Sequence, residues 1–281
     1  MEKTNYHSHC SWCDGRADFE LFVQEAVRQG FTSYGVSSHA PLPFSTKWTL
    51  DKANVVHYLN DFSRVKAAYK DRIELYVGME IDYLDANSNP SSAYFQNLPL
   101  DYRIGSVHLL TGTAGEVVDI DTPSEVFREN LQTCLGKNIR RVVEAYFEKA
   151  MTMIEVGGFD FLGHPDKIYN NALSCCPDLL ETNWYNSLQN DYYTLISEKG
   201  LPIEINTKVY ESRKLFFPHI KYWKQILHKR IPVLVNSDAH FPERIDSGRE
   251  AALNLMKECG FTELLQLKKG KWTEMPLNES S

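Results

Sequence analysis

Apolar positions along this chain follow two alternating patterns. Seven short apolar runs, rich in β-branched residues, have the length and composition of buried strands; they span residues 5–8, 33–38, 73–83, 102–109, 159–163, 202–206 and 232–237. Longer segments between them carry apolar residues at helical spacing, as in Val55, Leu59 and Phe62. The sequence therefore predicts strands and helices in regular alternation.

The predicted helices define the fold class. They cover residues 18–29, a stretch from residue 51, and residues 124–134, 138–156, 183–199, 219–229 and 247–259. Asp18 is a suitable N-cap for the first and Gly30 a suitable stop. Strand–helix alternation of this length is typical of a parallel sheet, and this many βα units favour an α/β barrel related to the TIM barrel. We expect residues 1–281 to form this single domain, with residues 85–99 as a loop on one rim.

Composition narrows the classes of function. Hydrophobic residues make up 43% and charged residues 24% of the chain, which is typical of globular proteins. The net charge of -7 disfavours general nucleic-acid binding, which needs a cationic surface. No apolar signal-like start and no membrane-spanning run is seen, so we expect a cytoplasmic protein without membrane contact. The oligomeric state is not predicted.

The cysteines indicate no zinc ribbon. Cys10 and Cys13 form one C-x-x-C pair, and a ribbon needs a second pair that Cys175 and Cys176, being adjacent, do not supply. We expect both amino-terminal thiols to be structural or incidental to function.

Histidines and carboxylates collect where predicted strands end. In a parallel barrel the carboxyl ends of the strands meet on one face, which is where active sites form. His7 and His9 are two residues apart in an extended segment, so both imidazoles face the same side. The full candidate ligand set is His7, His9, Asp14, His39, Glu80, His108, His164, Asp238 and His240.

The size of this set bears on the chemistry. Nine ligands exceed the need of one or two ions and fit three divalent ions if one carboxylate is shared. Imidazole with carboxylate favours Zn, Fe or Mn over Mg or Ca. Closely spaced ions suit phosphoryl chemistry, because they activate water and offset charge on phosphate oxygens.

Ordered motifs along the chain resemble one known family. They are His7-Ser-His9, Cys13-Asp14-Gly15, His39-Ala-Pro-Leu-Pro-Phe44, Gly78-Met-Glu80-Ile-Asp82-Tyr83, Gly105-Ser-Val-His108, Gly163-His164, Glu204-Ile-Asn-Thr207 and Ser237-Asp-Ala-His240. Together they resemble the polymerase-and-histidinol-phosphatase (PHP) superfamily, and specifically its histidinol-phosphatase branch. The residues after Asn206 depart from the pattern common in that branch.

The resemblance implies a distorted (β/α)7 barrel with a metal site at the carboxyl ends of its strands. It places His7, His9, Glu80 and Asp238 on a first ion, Asp14, His39 and His240 on a second, and Glu80, His108 and His164 on a third. The implied activity is that of a phosphomonoesterase, hydrolysis of L-histidinol phosphate in histidine biosynthesis.

We expect a metal-bridging hydroxide to attack phosphorus, with catalytic roles for Asp14, Glu80, Asp238, His240 and Arg213. Arg213 or Lys208 would clamp the phosphate, and we favour Arg213 because a guanidinium binds it through two donors. The amine and imidazole of the substrate would meet Trp48, Asp82 and Tyr83. Asp14 and a metal-bound water both stay open as the leaving group's proton donor.

Three other readings stay open. The first is another PHP-type phosphoesterase, acting on nucleotides, a DNA 3′ end or phosphotyrosine. The second is an amidohydrolase-type enzyme, although His240 two residues after Asp238 favours the trinuclear pattern. The third is a metal-binding protein without catalysis.

Overall fold

The computed structural model describes residues 2–277. Its strands are β1 (Lys3–Asn5), β2 (Phe31–Val36), β3 (Glu74–Asp82), β4 (Tyr102–Ser106), β5 (Leu109–Thr111), β6 (Val117–Asp119), β7 (Phe161–Leu162), β8 (Ile203–Asn206), β9 (Val233–Asn236), β10 (Glu263–Lys268) and β11 (Lys271–Pro276). Its helices are α1 (Phe19–Arg28), α2 (Val55–Tyr69), α3 (Ala93–Gln96), α4 (Ser124–Thr133), α5 (Ile139–Val156), α6 (Ile168–Leu173), α7 (Asn183–Glu198), α8 (Tyr210–Arg213), α9 (Trp223–His228) and α10 (Arg249–Cys259).

The predicted strands form one curled sheet. Its seven strands run in the order β1-β2-β3-β4-β7-β8-β9, and all adjacent pairs are parallel. The two ends of the sheet return to each other, where Ser8 and Ala239 form a parallel bridge. The side-chain oxygen of Asn236 accepts the Tyr6 amide across the same seam at 2.9 Å. The sheet is therefore nearly closed into a barrel, which confirms the predicted fold class.

Apolar helix faces cover the outside of the sheet. The α1 helix buries Phe19, Phe22 and Val23, which join α2 residues in one core cluster. The α5 and α7 helices belong to a larger cluster on the other side, through residues such as Phe147 and Tyr192. Each helix thus shows the apolar stripe that its sequence pattern predicts.

Several elements differ from the prediction. The first strand pairs only through Lys3–Asn5, because the chain then leaves the ladder to carry its histidines to the rim. The β5–β6 hairpin and the short helices α6 and α8 were not predicted, since three to six residues are too few to show a period. The expected loop at 85–99 contains α3. No helix of residues 2–277 is both long and apolar enough to cross a membrane.

A second unpredicted hairpin, β10–β11, plugs the amino end of the barrel. The Leu267 carbonyl accepts hydrogen bonds from the hydroxyls of Tyr6 and Ser33, each at 3.2 Å. Trp272 packs edge-on against Tyr6, with ring centroids 5.4 Å apart. The opposite, carboxyl end stays uncovered by this hairpin and holds the polar cluster.

Candidate metal centre

Glu80, near the end of β3, lies at the middle of the polar cluster. Its carboxylate is within 3.5 Å of ring nitrogens of five histidines: His7 at 3.3 Å, His9 at 3.5 Å, His39 at 2.9 Å, His108 at 3.5 Å and His164 at 2.8 Å. The Ser106 hydroxyl donates to the same carboxylate at 2.7 Å. One buried carboxylate therefore contacts side chains on or just after four other strands, β1, β2, β4 and β7.

Two more carboxylates complete the cluster. Asp238 Oδ1 is 3.1 Å from Nε2 of His9 and 3.6 Å from Nδ1 of His240. Asp14 Oδ1 is 3.3 Å from Nε2 of His240 and 3.9 Å from Nε2 of His39. The structure thus brings all nine side chains of the candidate ligand set together, although they are spread from residue 7 to residue 240.

Unusual backbone conformations aim some of these side chains. Asp238 and His164 have positive φ angles, of 49° and 22°, which non-glycine residues seldom adopt. Such strain costs about 1–3 kcal/mol and is typical of functional sites. A side chain at Gly15 would put its Cβ 2.1 Å from the His9 carbonyl oxygen, so only glycine lets the Asp14 loop pack this closely. Backbone strain at this rim lowers local stability and places the candidate ligands.

The free ligand atoms fit metal ions. Buried polar atoms normally have hydrogen-bond partners. Within residues 2–277, six atoms of the cluster have none. One is Nδ1 of His164, whose Nε2 lies next to Glu80, and the other five are His7 Nε2, His9 Nε2, Asp14 Oδ1, His39 Nδ1 and Glu80 Oε2. These five point into the same centre, and nitrogen with carboxylate oxygen is the donor set of Zn, Fe and Mn sites. Bound cations would satisfy all five.

Ligand atoms within 4.8 Å of one another form four overlapping groups: His9-Asp14-His39-His240, His7-His164-Asp238, His7-His9-Glu80 and His39-Glu80-His108. The groups cross the boundaries of the three-ion assignment, because Glu80 lies between five of the six imidazoles. The geometry agrees with a shared carboxylate, and the division among ions stays a prediction.

Charge in the cluster favours ionised carboxylates. Burial raises the pKa of Glu80, but His7, His39 and His108 outweigh it and hold the pKa well below its usual range. Burial also lowers the pKa of His108, yet Asp82 and Glu80 outweigh this and raise it to about 9. For His9, burial and the neighbouring imidazoles act together and keep its pKa well below the ordinary value. A neutral imidazole such as His9 offers the lone pair that a metal needs.

Glu204 belongs to one of the quoted motifs, but no role in the site was predicted for it. Its carboxylate, fully buried in β8, lies 2.9 and 3.0 Å from Nδ1 of His7 and accepts the His164 amide at 2.7 Å. The side-chain amides of Asn206 and Asn236 also donate to it. Glu204 therefore orients two candidate ligands, as outer carboxylates of metal sites do. A glutamate inside an otherwise apolar strand was the available signal.

Three predicted substrate contacts lie elsewhere. Asp82 is buried and uses both oxygens on Nδ1 of His108, each at 3.1 Å, so it orients a ligand instead of facing a substrate. Tyr83 packs in the main apolar cluster. The exposed Arg213 donates to Asn170 at 2.6 Å and lines neither pocket at the centre, because α8 turns it outward. These three predictions are corrected.

The other two predicted contacts do face the centre. Trp48 packs edge-on against His39, with centroids 4.8 Å apart, and lines a pocket there. The Lys208 ammonium is 3.2 Å from Asp238 Oδ1. Burial opposes its charge, but Asp238 and Asp121 outweigh burial and raise the pKa of Lys208 above its ordinary value. Lys208 is therefore the cation that the structure places at the cluster.

Two pockets of opposite charge open on the cluster and share Asp14, Lys208 and His240. The acidic pocket, of about 180 Å³, is completed by His39, Trp48, His108, Asp119 and Asp121. The basic pocket, of about 310 Å³, is completed by Arg16, Ser237, Asp238, Ala239, Phe241, Arg244 and Ser247. Asp119, Asp121, Arg16 and Arg244 were not predicted, since no motif marks them.

A family model, described as the PHP domain, matches residues 4–208 of the chain. The chain belongs to the PHP domain family. The match covers seven of the nine cluster residues, and Asp238 and His240 lie beyond it. The family assignment made from the motifs is thus confirmed.

Curated relatives and solved structures of PHP proteins resemble the chain along most of its length. A "Probable histidinol-phosphatase" of Schizosaccharomyces pombe is 24% identical, over 94% of this chain and 89% of the relative. A histidinol-phosphatase of Bacillus subtilis is 24% identical, over 90% of this chain and 99% of the relative. The crystal structure of a histidinol phosphate phosphatase from Lactococcus lactis, complexed with zinc, L-histidinol and phosphate, shares the fold with a TM-score of 0.73 at 19% identity, over 97% of this chain and 99% of that one.

Proposed function

We propose that this PHP-domain chain is a metal-dependent phosphomonoesterase that hydrolyses L-histidinol phosphate to L-histidinol and inorganic phosphate, in histidine biosynthesis. The observation that carries the proposal is the buried cluster in which five nitrogen and carboxylate oxygen atoms that face one another make no hydrogen bond within the described residues. The names of the curated relatives support the choice of substrate. A location in the cytoplasm is part of the same proposal.

The nine residues of the cluster would hold three divalent ions, with Zn, Fe and Mn as candidates. When bound, such ions supply Lewis acidity to phosphate oxygens and make water a nucleophile at neutral pH. Glu80 and Asp238 would supply negative charge to the bound ions, and Glu204 and Asp82 keep the imidazoles oriented. The protein part of catalysis is this fixed electrostatic frame.

Lys208 would bind the phosphate of the substrate. Its ammonium lies at the cluster beside Asp238 and lines both pockets, with three N–H donors for phosphate oxygens. The Asn206 side chain accepts the Lys208 amide at 3.0 Å, which fixes the start of this segment. Lys208 takes the role that the sequence analysis gave preferentially to Arg213.

The acidic pocket would take the alcohol part of the substrate. L-histidinol carries an ammonium group and an imidazole, which suit a carboxylate and an aromatic wall. Asp121 is already paired with the buried Lys167 at 2.9 Å. Asp119 accepts the Asp121 amide at 2.8 Å through one oxygen, and within the described residues it forms no ion pair with a lysine or arginine. Asp119 is therefore the proposed partner of the substrate ammonium, with Trp48 beside the imidazole.

Asp14 is better suited to hold a metal than to protonate the leaving oxygen. Burial raises its pKa, but His240 and His39 outweigh burial and keep that pKa well below its usual range. Asp14 therefore stays a carboxylate at neutral pH. The proton for the leaving oxygen has to come from another group, such as water.

Substrate preference tests the proposal. Zinc- or manganese-loaded protein should turn over L-histidinol phosphate with a kcat/KM roughly 100-fold or more above p-nitrophenyl phosphate, a nucleotide, phosphotyrosine and a DNA 3′-phosphate, because only the first fills the acidic pocket. EDTA should abolish the activity, and added metal should restore it. Equal rates on all these esters would contradict the substrate assignment, and ammonia release without phosphate release would contradict the reaction class.

A substitution at Asp119 tests the role of the acidic pocket. Asp119→Asn should raise KM for histidinol phosphate roughly tenfold or more while leaving p-nitrophenyl phosphate hydrolysis nearly unchanged, since only the former carries an ammonium group. Glu116→Gln is the control, because this carboxylate lies on the same hairpin region but contacts the Ala114 amide and does not line the pocket. Equal effects on both esters would rule out an ammonium contact.

A further inference from the structure

The outer part of the basic pocket is not used by the proposed reaction. The basic pocket shares Asp14, Lys208 and His240 with the acidic pocket, so it opens on the same cluster from another side. Arg16 and Arg244 line its outer part. Its volume of about 310 Å³ leaves room for a small ion and several waters.

The two arginines of this pocket have free guanidinium groups. Within residues 2–277, neither group hydrogen-bonds to a protein atom or lies within ion-pair distance of a carboxylate, whereas Lys208 is paired with Asp238. Their backbones are tied to the His240 segment. The Arg16 amide donates to the His240 carbonyl at 2.8 Å, and the Arg244 amide donates to the Phe241 carbonyl at 3.0 Å.

The backbone before Arg16 is also fixed. Gly15 packs directly on the His9 carbonyl, and its amide donates to the Cys10 carbonyl at 3.2 Å. Two cations without protein partners are therefore held on ordered backbone next to a cluster that handles phosphate. A guanidinium binds a tetrahedral oxyanion through two parallel N–H groups, which is stronger and more directional than a contact with an ammonium.

We propose that the basic pocket is a second phosphate site, in which Arg16 and Arg244 receive inorganic phosphate as it leaves the metal cluster. This inference rests on the proposed function. The alcohol product would leave through the acidic pocket, where Asp119 and Asp121 repel an anion. A phosphate ion that leaves on the other side meets two unpaired guanidinium groups instead. The charges of the two pockets thus separate the two products.

Titration with inorganic phosphate tests this site. The manganese-loaded full chain should bind one phosphate more per chain, by calorimetry, than the double variant Arg16→Gln/Arg244→Gln. In initial-rate assays with histidinol phosphate, phosphate bound at the second site should slow product release, so the noncompetitive inhibition constant for inorganic phosphate should rise roughly tenfold or more in the double variant, because two charged contacts are lost. The KM for the substrate should stay within about threefold, because Lys208 and the cluster still bind the ester.

Arg230→Gln is the matched control. Arg230 is also exposed, and it lines a separate cleft next to Phe261 and Glu263. This variant should keep the phosphate stoichiometry and the inhibition constant of the unmodified chain. An unchanged stoichiometry in the double variant would overturn the second site. A KM that rises in step with the inhibition constant would also overturn it, because the arginines would then hold the substrate itself.

The calorimetric measurement distinguishes failure of the second phosphate site from failure of the proposed function. If the loaded chain failed to turn over histidinol phosphate, the proposed function would fail. The number of phosphates bound by the unmodified and double-variant proteins would still decide whether the basic pocket is a phosphate site.

Discussion

The two ends of the barrel are built on the same strands and do opposite things. At the amino end, Tyr76 of β3 and Tyr102 of β4 point into an apolar cluster with Trp272. Four residues further along the same strands, Glu80 and Ser106 belong to the polar cluster. The amino end is covered by the β10–β11 hairpin, whereas two pockets open on the carboxyl end.

The buried polar atoms of the two ends differ in their hydrogen bonding. At the amino end, the hydroxyl of Tyr102 donates to the Tyr6 carbonyl at 2.6 Å, and the hydroxyl of Tyr6 donates to the Leu267 carbonyl. At the carboxyl end, His7, His9 and Glu80 keep unpartnered atoms although they are buried. Hydrogen-bonded polar groups stabilise a fold, whereas several unpaired nitrogens and carboxylate oxygens that face one another fit cations. One end of the barrel therefore serves stability and the other serves chemistry.

The largest expected effect is at the carboxyl end. Glu80→Gln removes the charge that faces five imidazoles and should lower kcat/KM for histidinol phosphate roughly 10³-fold, or about 4 kcal/mol. Elemental analysis should show fewer metal ions per chain. Turnover close to that of the unmodified enzyme, with full metal content, would contradict a shared role for Glu80.

The amino end should respond in stability instead. Trp272→Ala removes ring contacts to Tyr6, Tyr102 and Phe161 and should lower the free energy of unfolding by about 3 kcal/mol. Chemical denaturation would measure this change, and kcat of the folded, metal-loaded fraction should stay within about twofold. A loss of kcat comparable to that of Glu80→Gln would show that the two ends are not separable.

Glu204 tests how the carboxyl end holds its metals, because it is buried at that end but is not one of the candidate ligands. Glu204→Gln should weaken metal retention roughly 10- to 100-fold, since His7 loses a charged partner for Nδ1. The rate of zinc transfer to a chelator measures this. The control is Glu74→Gln, whose carboxylate accepts the Tyr76 hydroxyl near the amino end. Similar metal loss in both variants would mean that a general loosening, and not the orientation of His7, is responsible.

The smallest expected effect is on kcat/KM and compares Lys208 with Arg213. Lys208→Gln should lower kcat/KM roughly tenfold or more, because an ammonium beside Asp238 is lost. Arg213→Gln should change kcat/KM less than about twofold, since this side chain contacts Asn170 away from both pockets. Steady-state kinetics with histidinol phosphate would compare the two. The reverse order would return the phosphate clamp to Arg213.

Features set by interactions between residues close in sequence were predicted correctly, whereas features set by contacts between distant residues were not. The alternation of β3 and its neighbours was visible as local periodicity, and the positions of His7 and Glu80 at strand ends followed from it. The hairpins that contain Leu109–Thr111 and Lys271–Pro276 were not predicted, because their pairing is set by contacts with distant parts of the barrel. Arg213 and Asp82 were assigned to the substrate from their place in the chain, yet side-chain direction decided otherwise.

By itself, the sequence determined the parallel α/β architecture and the nine side chains that gather at one rim, because period and strand-end position are local properties of the chain. The order of its motifs along the chain indicated the PHP family by resemblance. Only the tertiary structure decided which carboxylates face solvent and which hold an imidazole, and which cations line a pocket. Those outcomes depend on groups far apart in the chain, such as Glu204 with His7, whose contact exists only once the barrel has closed.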